Sequence, residues 1–218
     1  ALASDIPSEQ KRKPQELLIW ALVEQERPQE ALPIVQSLRP LEGREKPSER
    51  GLAAIVEVLC AAGNKEQAQG ARKDFQNLYP SSGLMPRVDL VWGRLLGRVG
   101  EAQEAAQVLR KVIQDHPGSP QADDARLALA NLLTDGSLPD AKDLPSAEAL
   151  LAEVRKGGTG LPKRTAQVVE LRLLNGKQLW EDALNLVDRM EPATRETMPA
   201  GKKLWTEAWN AWVGQRLE

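Results

Sequence analysis

A 37-residue repeat in the middle of the chain limits its fold more than any other feature. Segments 63–68 (GNKEQA) and 100–105 (GEAQEA) align directly, and a proline, Pro80 or Pro117, follows the final alanine of each by twelve residues. Repeats of this length are typical of solenoids, in which each unit buries its apolar face against its neighbours. The sequence therefore predicts an array of similar units.

Three further units align on the anchor alanines of this repeat. Successive anchors are 37, 37, 42 and 36 residues apart. Apolar residues recur four and seven positions after most anchors, which places them on one face of a helix. The anchors are Ala31, Ala68, Ala105, Ala147 and Ala183. Arg72, four residues after its anchor, departs from the pattern.

The residue types and helix-end signals favour paired helices. Hydrophobic residues make up 41% of the chain and are mostly Ala and Leu, so a sheet has few β-branched residues to build with. Gly63 and Gly100 are suited to end the first helix of a pair, and Pro80 and Pro117 to stop the second. We predict an all-α fold of about five helix pairs and a C-terminal capping helix.

The same pattern predicts how the chain is divided. Residues 1–13 form an N-terminal extension, 14–197 form the repeats in one domain, and 198–218 form a Trp-rich capping helix. Leu217 and Glu218 are typical of a cloning remnant. Residues 134–145, with two prolines, are predicted to be an exposed loop inserted in the fourth unit. The GGTG run at 157–160 is predicted to connect the last two units.

With these offsets, the chain resembles the tetratricopeptide repeat family. The third unit fits the family pattern best, with Trp92, Gly93, Leu96, Ala105, Leu109 and Pro117. The endings at 78–82 and 115–120 are similar to those of bacterial envelope-assembly proteins of the BamD and YbgF type. The resemblance implies a right-handed α-solenoid of TPR-like pairs. Together with the missing initiator Met, it favours the periplasm or another envelope compartment over the cytoplasm.

Residue types that carry catalysis or bind metals are scarce. His116 is the only histidine and Cys60 the only cysteine, and they fall in different units, which argues against a zinc site. We predict that His116 is a helix-end residue and Cys60 a buried structural thiol. The GGTG run follows a predicted helix rather than a strand, unlike a phosphate loop. We expect no enzyme activity, no cofactor and no metal.

Charge and hydropathy exclude two further classes of partner. The net charge is −2, and the basic groups are short and surrounded by acidic residues, so we expect no nucleic-acid binding. No stretch approaches the roughly 20 apolar residues that span a bilayer, so we expect no transmembrane segment.

The resemblance also implies a binding groove, because the first helix of each tetratricopeptide pair lines the concave face. The matching positions are Lys13, Glu16, Trp20, Arg50, Glu57, Arg87, Arg94, Arg172 and Asn175. Five of these nine residues, the lysine and the four arginines, are cationic. One hypothesis is that they bind an acidic or carboxylate-bearing peptide, with the arginines donating forked hydrogen bonds. The alternative is that the arginines pair with neighbouring acids and face only water.

The C-terminal segment has a separate character. Trp205, Trp209 and Trp212 fall at i, i+4 and i+7 on a helix predicted from about Ala200 to Gln215. They are interpreted either as a lid over the last pair or as an exposed interface. The sequence thus predicts a non-catalytic protein–protein interaction module: an adaptor, assembly factor or scaffold. The alternative is a homo-oligomeric structural component that self-associates through this helix.

Overall fold

The described part of the chain is all-α, as predicted. A computed structural model describes residues 8–38, 46–138, 144–156, 163–189 and 199–217, and these contain eleven helices and no strand. The helices are α1 Ser8–Glu24, α2 Pro28–Ser37, α3 Glu49–Ala62, α4 Lys65–Leu78, α5 Met85–Arg98, α6 Ala102–Asp115, α7 Pro120–Thr134, α8 Leu144–Lys156, α9 Lys163–Gly176, α10 Trp180–Arg189 and α11 Pro199–Leu217. The first helix begins inside the segment predicted as an extension.

The predicted helix-end signals act as expected. Gly63 and Gly100 have positive φ angles of 77° and 89°, the left-handed conformation that glycine adopts most easily. Helices α4 and α6 end at Leu78 and Asp115, two residues before their prolines. The side chain of Ser48 caps α3 by accepting a hydrogen bond of 3.0 Å from the Gly51 N–H.

The insertion in the fourth unit is shorter than predicted. Helix α7 continues through Thr134, which is buried and donates its hydroxyl hydrogen to the carbonyl of Ala130, 2.9 Å away. The next described helix begins at Leu144, so both ends of the predicted loop are helical. The middle of the insertion, 139–143, and the predicted connector at 157–160 lie outside the described residues.

The anchor positions of the repeat form the best-buried column of the structure. All five anchor alanines are 0% exposed, and each lies on the second helix of a consecutive pair. The residues four and seven positions later are also buried in most units, as with Leu109, Val112, Leu151 and Val154. The burial pattern therefore follows the sequence repeat.

Arg72, which breaks this pattern, is compensated by an acidic residue on α5. Its Nε donates to Oδ1 of the buried Asp89 at 2.8 Å, and its guanidinium lies 5.7 Å from the centre of the Trp92 ring. The charge of Arg72 is tolerated at this apolar position because Asp89 pairs with it and the face of the Trp92 ring lies against it.

The chain forms two compact units, Ala1–Val108 and Leu109–Glu218, and the division falls within α6. In the first unit, α3 packs against α1, α2, α4 and α5. It contains the buried residues Ala53, Ala54, Val56 and Cys60, which confirms the predicted burial of the thiol. Burial raises the pKa of Cys60 to about 12, so the thiol is kept protonated at neutral pH.

In the second unit, α9 packs against α7, α8, α10 and α11. Part of its core consists of Leu171, Ala183, Val187 and Ala208, with Leu204 packed beside them. Helix α11 therefore joins this core through Leu204 and Ala208.

The buried carboxylate of Glu16 ties α1 to the beginning of α3. Glu16 is only 2% exposed, and its Oε2 accepts hydrogen bonds from the backbone N–H of Ser48 at 2.9 Å and from the Ser48 hydroxyl at 2.6 Å. Oε1 accepts from Arg12 Nε at 2.9 Å. Glu16 is thus a structural link and not the exposed groove residue that its position predicted.

We predict that Gly51→Ala destabilises the protein. A Cβ at this position would lie 2.6 Å from both Cβ and Oε2 of Glu16, so the carboxylate would have to leave its hydrogen bonds. Loss of those bonds costs about 1–3 kcal/mol and outweighs the gain that alanine normally brings to a helix. Urea unfolding measures the change.

Gly70→Ala is the matched control. Gly70 lies within α4, and a Cβ there would meet no atom within 4 Å, so this substitution should stabilise the protein by about 0.5–1 kcal/mol. Equal effects of the two substitutions would contradict the Glu16 contact.

Candidate partner-binding site

Three predicted groove residues converge in the first unit, although they are far apart in sequence. Trp20 of α1 is half-buried, and the guanidinium carbon of Arg87 on α5 lies 4.8 Å from its ring centre. The guanidinium of Arg50 on α3 lies 5.8 Å from the same ring. Contacts of this length are in the range of cation–π interactions. We call Trp20, Arg50 and Arg87 the tryptophan cluster.

Helix packing explains why these side chains meet. Trp20 lies one helical turn after Glu16, and Arg50 follows Ser48 by two residues, so the Glu16–Ser48 contact brings the first two together. Helix α5 packs against α3, and this places Arg87 beside Glu57. The cluster is therefore built from the first helices of three consecutive pairs.

Arg87 is neutralised within the cluster. Its Nη1 lies 2.6 Å from Glu24 Oε1, and its Nη2 donates to Glu57 Oε2 at 3.2 Å. Glu57 Oε1 is only 2.5 Å from Arg87 Nε but makes no hydrogen bond, so this contact is electrostatic. Burial lowers the pKa of Arg87, but the hydrogen bonds and charges of Glu57 and Glu24 outweigh burial and raise it overall.

Arg50 differs from Arg87 in its surroundings. It is exposed, and among the residues that the structure describes no carboxylate lies within ion-pair distance of it. Arg87 therefore pairs with neighbouring acidic residues, as the alternative hypothesis expected. Arg50 keeps a charge that faces solvent.

The remaining predicted cations of this unit lie on the same helices. Lys13 is exposed and precedes Trp20 by seven residues on α1, and Arg94 is exposed and follows Arg87 by seven on α5. A spacing of seven keeps each of them on the helix face of its cluster neighbour.

Two exposed leucines accompany Trp20 on α1, and sequence reasoning missed them. Leu17 and Leu18 are 66% and 50% exposed. The run from Leu17 to Trp20 has four apolar residues in succession, more than one helix face can bury, and this was the available signal. Leu17 precedes Trp20 by three residues and so lies beside it on α1, whereas Leu18 lies on a different side of the helix. The surface near Trp20 therefore combines aromatic, aliphatic and cationic side chains.

The second unit contains Arg172, another of the predicted groove residues. It is half-buried on α9 and lines a cavity of ≈330 Å³ together with residues of α10 and α11. Its Nη1 donates to the side-chain oxygen of Asn131. Burial lowers the pKa of Arg172, and the charge of Asp135 offsets part of this effect.

Two of the three tryptophans in the α11 stripe are exposed. Trp205 and Trp209 are 37% and 44% exposed, and Trp212 is half-buried. The ring centres are 5.8 Å apart for the first two and 5.5 Å apart for the last two. The predicted helix is confirmed. It contacts its core through Leu204 and Ala208, and Trp212 Nε1 donates to Glu181 Oε1 on α10 at 3.4 Å, so Trp205 and Trp209 are the exposed members of the stripe.

The described residues contain neither a cluster of potential metal ligands nor a membrane-spanning helix. No group of three or more His, Cys, Asp and Glu side chains within them is placed to hold a metal ion. None of the described helices has the length and hydropathy needed to cross a bilayer.

No protein-family profile matches the sequence, and no curated protein matches it. The function must therefore be argued from the residues themselves.

We predict that Glu57→Gln gains stability relative to the wild type as the pH rises from about 4 towards neutrality. Burial raises the folded-state pKa of Glu57 more than Arg87 lowers it, so the folded state holds the proton more tightly than the unfolded state. The contribution of this carboxyl group to the free energy of unfolding is fully present below its unfolded-state pKa of about 4.3. It is lost as the pH rises through the folded-state pKa. Urea unfolding between pH 4 and 7 measures the difference.

Glu153→Gln serves as the control of opposite sign. A hydrogen bond and the charge of Lys156 lower the pKa of Glu153, so its contribution is present above its unfolded pKa and lost as the pH falls. This variant should lose stability relative to the wild type as the pH rises. Parallel pH profiles for the two variants would contradict the assignment.

Proposed function

We propose that this protein is a non-catalytic protein–protein interaction module of TPR-like helix pairs arranged as a right-handed solenoid. Its binding site is the face formed by the first helices of the first three pairs, α1, α3 and α5. The observation that supports this proposal most is the convergence on a single cluster of Trp20, Arg50 and Arg87, three positions that the family resemblance implied for the groove.

The chemistry of this face suits a protein partner. Tryptophan and arginine are the residues most enriched at binding hot spots, and Trp20 is held in place by two guanidinium groups. An anchor fixed before binding loses little conformational entropy when a partner docks. The exposed Leu17, three residues before Trp20, adds apolar area that a partner can cover.

The charges define the partner further. Glu24 and Glu57 offset Arg87, which leaves Arg50 as the cation of the tryptophan cluster that a partner carboxylate can reach. The partner is therefore an extended or helical segment with apolar side chains for Trp20 and Leu17 and an acidic residue for Arg50. An adaptor or assembly factor would use such a face.

A second candidate function rests on α11. Two exposed, stacked tryptophans on one helix are a large aromatic surface for a chain of 24.0 kDa. Self-association through this surface would make the protein a homo-oligomeric structural component. Light scattering over a range of concentrations should then show a mass above 24.0 kDa that returns to the monomer in Trp209→Glu.

Selection of displayed random peptides on the purified protein tests the first proposal. We predict that Trp20→Ala lowers the affinity for the selected peptides about tenfold or more, as expected for a hot spot. Trp209→Ala should change that affinity less than about twofold. Fluorescence anisotropy of the labelled peptides measures both. Arg50→Glu should lower the affinity for acidic peptides more than for other peptides. Added salt should reduce the difference in affinity between this variant and the wild type.

The reverse result would contradict the proposed face. If Trp209→Ala abolishes peptide binding and Trp20→Ala leaves it intact, the working surface is α11. If no peptide is enriched over an empty support, neither face binds short segments, and the interaction proposal fails in this form.

A further inference from the structure

The cavity of the second unit has the features of a binding site for a small charged molecule. Its volume of ≈330 Å³ is at the lower end of the range found for ligand pockets. It lies between α7, α9, α10 and α11, and its polar lining residues include Asp135, Arg172, Asn175, Trp180, Lys203 and Glu207. The proposed partner-binding face uses none of them.

Arg172 brings an incompletely compensated charge to this cavity. Its polar partner is the neutral amide of Asn131, and no carboxylate in the described part of the chain lies within ion-pair distance of it. A half-buried guanidinium normally has an acidic partner, because desolvation of a lone charge is costly. Arginine has five N–H donors in a planar fork that matches a carboxylate, so Arg172 has donors to spare.

Two neighbouring side chains have buried polar atoms without partners. Asn175 donates its Nδ2 hydrogen to the carbonyl of Leu204 at 2.9 Å, which fixes the orientation of its amide, and its Oδ1 accepts no hydrogen bond. Trp180 Nε1, a donor, is also unpartnered. Unsatisfied buried polar atoms are uncommon in folded proteins and mark places where a ligand group can be accommodated.

The other charges of the lining are balanced. Asp135 accepts hydrogen bonds from the backbone N–H of Ser137 at 2.9 Å and from the Asn131 amide at 3.4 Å. Lys203 and Glu207 lie 4.0 Å apart on α11. Two cations and two carboxylates thus line one cavity, and a molecule of net charge zero with separated charges is complementary to them.

We propose that this cavity binds a small zwitterion, an amino acid or a molecule of the same charge pattern. Its carboxylate is bound by the guanidinium fork of Arg172, and its ammonium group by the oxygens of Asp135 and Asn175. A multiply charged anion such as phosphate fits less well, because Asp135 and Glu207 would repel it. The inference is independent of the proposed partner-binding face.

The indole N–H of Trp180 provides a direct measure of occupancy. Its signal in a ¹H–¹⁵N correlation spectrum can be assigned with Trp180→Phe and followed while the twenty amino acids are added singly, up to about 50 mM, at constant ionic strength. At least one should shift the signal saturably. The N-acetyl and carboxamide derivatives of that amino acid, which each lack one charge, should bind about tenfold more weakly, as should inorganic phosphate.

Arg172→Gln should lower the affinity for the tightest-binding amino acid at least tenfold. The control is Arg155→Gln, which alters an exposed arginine paired with Glu170 in the same unit and should leave that affinity unchanged. Circular dichroism checks the fold of each variant. If Arg172→Gln is unfolded, Arg172→Lys keeps the charge without the fork and should weaken binding about threefold or more.

The proposal is overturned if none of the twenty amino acids produces a saturable shift in the wild type. It is also overturned if a folded Arg172 variant binds as the wild type does, or if the N-acetyl or carboxamide derivative binds as tightly as the parent amino acid. Peptide binding at Trp20 is measured separately, so failure of this site leaves the proposed function untouched.

Discussion

The contact between the Glu16 carboxylate and the first turn of α3 organises the first unit. A buried carboxylate is costly unless its oxygens are satisfied, and here it accepts two hydrogen bonds from Ser48 and one from Arg12. Ser48 in turn caps α3 through the Gly51 N–H. Because Gly51 has no Cβ, α1 can approach α3 closely enough for this network to form. The orientation of α1, and with it the position of Trp20, follows from these bonds.

This arrangement connects stability with the proposed function. The network that joins the first two helix pairs also sets Trp20 beside Arg50, and the packing of α5 on α3 adds Arg87. Glu24 and Glu57 hold Arg87 over the ring, and they neutralise its charge at the same time. In our account Trp20 is an anchor whose position is fixed before any partner arrives, and Arg50 supplies the charge that selects among partners.

Much of the fold could be predicted because its determinants are local. Repeat spacing locates the buried anchor alanines, and Gly63 or Pro80 sets a helix end whatever surrounds it. The resemblance to the tetratricopeptide repeat family, rather than the repeat spacing itself, pointed to Trp20, Arg50 and Arg87. The partners of charged residues could not be predicted, because they depend on how side chains meet across helices. The sequence therefore predicted Glu16 as a groove residue, although it is buried. It also gave no sign that Asp89 pairs with Arg72. The sequence left the tryptophan stripe open between a lid and an exposed interface, because α11 has a second apolar side, formed by Leu204 and Ala208.

A double-mutant cycle between Glu16→Ala and Ser48→Ala tests the central contact most directly. Charge-assisted hydrogen bonds are worth about 1.5–3 kcal/mol, so the free energies of unfolding of the two single variants and the double variant should reveal a coupling above about 1 kcal/mol. Additivity within about 0.5 kcal/mol would show that the two residues do not act on each other, and it would contradict the account of how Trp20 is positioned.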